Sequence, residues 1–151
     1  MEKDETKKIT AENIHIRLAA VQFKALPQVD GNFNVVSFDT VEVKAASKEG
    51  FSILYSREVR LDPSAIFSLL VAFEVSGTFD QASLDFYKDD PKGFGRWVSK
   101  YQDNLVGDSG APRLASALIA SITAYDGLNP VVLAPILHKR KETNDNAKSA
   151  K

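Results

Sequence analysis

The spacing of apolar residues changes once along the chain, and that change limits the folds open to it. From Ile14, IHIRLAAVQFK alternates Ile14, Ile16 and Leu18 against His15 and Arg17, the period of a strand with one covered face. Past Pro27 and the turn pair Asp30-Gly31, NFNVVSFDTVEVKA continues with Val41, Val43 and Ala45 against Glu42 and Lys44. After a loop at Ser47 to Gly50, FSILYSREVRL sets Phe51, Ile53, Tyr55, Val59 and Leu61 on one side, interrupted by Arg57 alone. These two segments are expected to pair as a hairpin. In DPSAIFSLLVAFEVSGTF, Asp62-Pro63 has the form of a helix cap followed by a first-turn proline, and Ile66, Leu69, Leu70 and Phe73 suit a helical stripe. The alternation of Phe67, Leu69, Val71, Phe73, Val75 and Phe79 runs longer and is rich in Val and Phe, so a fourth strand is expected, with Asp62-Pro63 as the turn before it.

Beyond Asp89-Asp90-Pro91 the spacing becomes three and four. KGFGRWVSKYQDNLV places Phe94, Trp97, Val98, Tyr101 and Leu105 on one helical face. A loop, GDSG, is expected before a second helix in APRLASALIASITAYDG, with Leu114, Leu118, Ile119 and Ile122 as its apolar face and Gly127 as its C-terminal cap. Strands first and helices afterwards give an α+β class: a four-stranded antiparallel sheet followed by two helices packed on one face. The next stretch, GLNPVVLAPIL, is the most apolar late segment, yet Pro130 and Pro135 bar both a regular helix and a central strand. It reads as an extended strap.

At 151 residues the chain is the length of one domain. The division expected is a disordered N-terminal tail over 1–13, an α+β domain over 14–137 and a disordered basic tail over 138–151, where HKRKETNDNAKSAK has no apolar residue beyond alanine. A net charge of −1 predicts no nucleic-acid or membrane steering. The basic tail lacks the interleaved aromatics that stack on bases. With no cysteine, disulfides and thiolate chemistry are excluded, and a cytoplasmic address is expected. Neither a signal peptide nor a membrane span is legible.

Catalytic, cofactor-binding and metal-binding sets are not expected. Only His15 and His138 are available to bind metal. Asp80, Asp85, Asp89 and Asp90 in FDQASLDFYKDD lack the spacing of a calcium loop and read as caps of helices and turns. VGDSGAP looks like the nucleophile segment of chymotrypsin-like proteases, but such an enzyme needs a histidine base and an aspartate upstream, and here the motif joins two helices. What remains is apolar surface. Phe33, Phe38, Phe86, Tyr87, Phe94, Trp97 and Tyr101 are many rings for one small sheet to bury. Most are expected in the core, the others with the strap in a groove or an oligomer interface.

A helix running into GLNPVVLAPIL resembles the signature of SecB-type export chaperones, in which the main helix ends at a glycine, passes a proline and enters an extended Leu-Ala-Pro segment. The likeness rests on Gly127, Pro130 and Leu133-Ala134-Pro135, and on four strands, the last passing a Gly-x-Phe step at Gly77-Thr78-Phe79. The resemblance implies an ATP-independent holdase, a homo-oligomer (dimer or tetramer) that binds unfolded or partly folded polypeptides in apolar grooves, for protein export or for protection of an antitoxin. The candidate client contacts are Phe33, Phe38, Trp97, Tyr101, Val131, Leu133 and Ile136. Docking on the translocation motor is not carried over, because the tail is basic and the fourth strand offers only Glu74. The alternative is a dedicated, non-enzymatic interaction module that stabilises a single partner.

Overall fold

A computed structural model of the chain describes residues 9–28, 30–63, 66–124 and 130–137. Four strands, β1 (Ala11–Ala25), β2 (Asn34–Ser47), β3 (Gly50–Asp62) and β4 (Phe67–Phe79), form one antiparallel sheet in the order β1-β4-β3-β2. They are followed by α1 (Gln81–Phe86), α2 (Gly93–Ser109) and α3 (Ala111–Ala124). The fold is the expected α+β arrangement, with α2 against β2 and α3 against β4 and β3. The hairpin of β2 and β3 closes at Gly50, where φ is +137° and a Cβ would stand 2.3 Å from the Gly77 carbonyl oxygen, so only glycine fits.

The core is the helix side of β3 and β4, where Ile53, Tyr55, Val59, Leu69, Val71 and Val75 are fully buried. An aromatic cluster seals one end: Phe79 meets Phe51 at 5.7 Å, Phe94 at 4.8 Å and Trp97 edge-on at 6.0 Å between ring centroids. Geometry of this kind adds to the area such rings bury.

Several expectations need correction. Residues 11–13 belong to β1, and Ile9 is buried just ahead of it, so ordered chain reaches into the segment read as an N-terminal tail. Among the described residues there are three helices, because Asp80 starts the short α1: its side chain accepts from the Ser83 N–H at 2.8 Å, the capping role expected of that acid. GDSG is no loop, since α2 runs to Ser109 and the chain turns on Gly110 alone, at φ 91°. The Ser109 hydroxyl tightens that joint by donating to the Val106 carbonyl and accepting from the Ala111 N–H. The buried face of α3 centres on Ala111, Ala115, Ser116, Ile119 and Thr123, while Leu114 is exposed. Small side chains let the helix lie close to the sheet, which the larger Leu114 would prevent. The Gly127 cap and residues 138–151 lie outside the described residues.

Candidate functional site

Arg57 interrupts the apolar alternation of β3 and occupies its centre, with its side chain fully buried. A buried guanidinium requires a partner for each of its five N–H donors, and it has them. Nε and Nη2 grip Asp39 of β2 at 2.7 and 2.8 Å, while Nη1 donates to the Ser116 hydroxyl of α3 at 2.6 Å and to the Ala134 carbonyl at 3.3 Å. Nη2 also donates to the Ile136 carbonyl at 2.5 Å. Burial works against this charge, but the bond to Asp39 and the nearby negative groups outweigh it and raise the pKa further. Beside it, the Tyr55 hydroxyl is buried near Asp39, and burial, then the charge of the Asp39 carboxylate, push its pKa up.

This cluster holds the described part of the strap, residues 130–137. A second tie lies upstream, where the Val131 N–H donates to Thr123 Oγ1 at 2.8 Å and that hydroxyl donates back to the Ile119 carbonyl. Ser116 Oγ donates to the Ala134 carbonyl at 3.2 Å. From Thr123 to Ser116 the helix advances roughly 10 Å, and from Val131 to Ala134 extended chain covers about the same length, so the strap runs antiparallel along α3. Val131, Leu133 and Leu137 pack on the core, whereas Val132 is 80% and Ile136 63% exposed.

A second apolar margin lies along β1, an edge strand. A bulge between Leu18 and Ala20 lets Leu18 and Val21 face the same side, opposite Phe73 and Val71 of β4. Phe23 follows opposite Leu69 and stacks on Phe67 at 5.9 Å. These three point to the side of the sheet that carries the helices, yet Leu18 is 50%, Val21 42% and Phe23 45% exposed. The helices pack mainly on β2 to β4, and where α2 touches β1 it leaves these three side chains about half exposed.

The seven candidate contacts do not share one surface. Ile136 is exposed on the strap, with Val131 and Leu133 turned inward beneath it. Trp97 and Tyr101 sit together on α2, ring centroids 5.4 Å apart, half buried against the aromatic cluster. Phe38 lies on the sheet's opposite face under the Arg60 guanidinium, and Phe33 is half buried in the loop before β2. On that opposite face Glu74 is paired with Arg17 at 2.9 Å and accepts from Ser52, and both bonds hold its carboxyl below the usual range. Leu18, Val21, Phe23 and Val132 are not among the sequence candidates; only their spacing is legible, since their exposure depends on how far the helices reach. Arg57 carries a signal, a charge in an apolar alternation. Among the described residues no group of three or more acids or histidines is placed to hold a metal, and no helix is long and apolar enough to cross a membrane.

No protein-family model and no curated protein matches the sequence. Among solved structures, the chain is similar to the Mycobacterium tuberculosis Rv1957 SecB-like chaperone, solved in complex with a ChAD peptide from the Rv1956 HigA1 antitoxin. The likeness covers 87% of this chain and 89% of that one, at 13% identity and a TM-score of 0.48.

Proposed function

We infer that the chain is an ATP-independent holdase that binds unfolded or partly folded polypeptides through apolar surface, without turnover. The observation that carries this reading is the row of Leu18, Val21 and Phe23, 42–50% exposed along an edge strand of 15 residues. An edge strand offers unpaired backbone groups to an extended chain, and exposed aliphatic and aromatic side chains beside it take that chain's apolar residues without reading a sequence. Val132 and Ile136 on the strap add a second apolar strip. The same edge suits pairing with a second copy, giving a dimer or tetramer. The acid that β4 offers, Glu74, is paired with Arg17, so docking on the translocation motor is not carried over.

The test combines light scattering with suppression of aggregation of several unrelated unfolded proteins. A homo-oligomer that protects all of them is expected. A monomer that protects none contradicts the reading, and protection of one partner alone supports the dedicated module instead.

A further inference from the structure

Resting on the reading that this chain binds polypeptides, we propose that the strap at residues 130–137 is the resident occupant of a peptide seat, and that an extended apolar segment of a client takes its place there. The seat is built from Arg57, Ser116 and Thr123, with the core surface under Val131, Leu133 and Leu137 as its floor.

Its contacts with the strap are those of a receptor with an extended peptide. Arg57 donates to two strap carbonyls, at Ala134 and Ile136, Ser116 donates to the first of them, and Thr123 accepts from the Val131 N–H. Every one of these polar ties runs from a fixed side chain to the strap's main chain, so any extended segment can reproduce them. Val131 and Leu133, two apart, face inward, with Val132 between them facing out, the alternation of a bound strand. Among the described residues no backbone–backbone hydrogen bond holds residues 130–137. Asp39 stays on Arg57 whatever fills the seat, so the guanidinium remains paired with a carboxylate while its other donors pass from strap carbonyls to client carbonyls. Proline at 130 and 135 fixes the strap's backbone without supplying a donor, which suits a segment that must fit the seat yet also leave it.

A displaceable occupant and a permanent wall respond oppositely when the strap is weakened. Leu133→Ser reduces the apolar hold of the strap and leaves Arg57, Ser116 and Thr123 in place. The chain contains no cysteine, so Thr123→Cys with Val131→Cys introduces the only thiols, one on α3 and one on the strap residue whose main-chain N–H meets Thr123; oxidation locks the strap, and the reduced pair, which also lacks the Thr123 hydroxyl, is its reference. The probe is a fluorescein-labelled synthetic peptide of sequence PVVLAPIL, added to each full-length protein and followed by anisotropy. The expected order of affinity is Leu133→Ser above the unaltered chain, and the unaltered chain above the oxidised pair, with about tenfold or more between the extremes and reversal on reduction. Equal binding by all forms, weaker binding by Leu133→Ser, or binding by none overturns the proposal. Where the disulfide does not close, hydrogen exchange at Val132 and Leu133 in the unaltered protein decides: faster exchange on adding peptide supports displacement, and unchanged exchange refutes it. Suppression of aggregation, measured on the same samples, separates the two readings. If the oxidised and reduced pair protect clients equally, the holdase reading stands and the seat falls. If neither protects but the peptide still follows the expected order, the seat stands and the holdase reading falls.

Discussion

Val71 on β4 is fully buried, whereas Val21, its partner across the strand pair, is 42% exposed; one strand-pair further along, Leu69 is fully buried and Phe23 is 45% exposed. Both rows have the same chemistry and the same spacing and face the same side. They differ in what lies above them: α3 packs chiefly over β4, and β1, at the edge of the sheet, has less helix against it. Burial in the centre is enforced twice, by the sheet and by a helix, while along Leu18, Val21 and Phe23 the helices cover less. A strand can therefore carry a core-like sequence and remain available to a partner.

The sharpest way to break this contrast is at Arg57, where the centre depends on a charge. Arg57→Met takes the cation away from the buried Asp39 carboxylate and is expected to lower stability by about 3–5 kcal/mol in chemical denaturation, while adding Asp39→Leu recovers most of the loss. If the double variant is as unstable as the single one, the damage comes from packing and the ion pair is incidental. Next come paired truncations. Leu69→Ala in the centre is expected to cost about 2–5 kcal/mol, and Leu18→Ala on the margin to stay within about 0.5 kcal/mol. Equal costs would mean that β1 is as covered as β4.

Two smaller effects concern single polar groups. The Tyr55 pKa is raised, so the stability from keeping that phenol neutral is present below the unfolded value of about 10 and is lost as pH rises toward the higher folded value. Tyr55→Phe removes the titrating phenol beside Asp39 and is expected to flatten the alkaline decline, and a decline unchanged in the variant would mean that another group causes it. Asp80 goes the other way. Its bonds from Ser83 lower its pKa, so its contribution is present above the unfolded value of about 4 and is lost as pH falls through the lower folded one. Asp80→Ala is expected to give a small drop in Tm at neutral pH that vanishes in acid, and a drop that persists in acid would mean that the cap acts by packing.

The same contrast explains how much was legible in the sequence. Strands β2, β3 and β4 follow from alternation because each has a covered side, and the change of spacing after Pro91 announces α2. Asp80 as a cap was also readable, since capping is local. The face of α3 was not, because its close approach depends on Ala111, Ala115 and Ser116, residues too small to stand out in an apolar pattern. Arg57 was visible as an interruption, yet its partners at Asp39, Ser116, Ala134 and Ile136 come from three distant parts of the chain. Exposure along β1 leaves no local mark at all, since Leu18 and Leu69 differ only in what the rest of the fold places above them.

The measurement that meets the central claim most directly is protection of two unrelated unfolded proteins by the unaltered chain and by a variant carrying Leu18→Ser, Val21→Ser and Phe23→Ser, at matched concentration and with Tm checked for both. The account expects the unaltered chain to suppress both aggregations and the variant, still folded at the assay temperature, to lose most of that effect. Equal protection by the two proteins, or none by the unaltered chain, would contradict it.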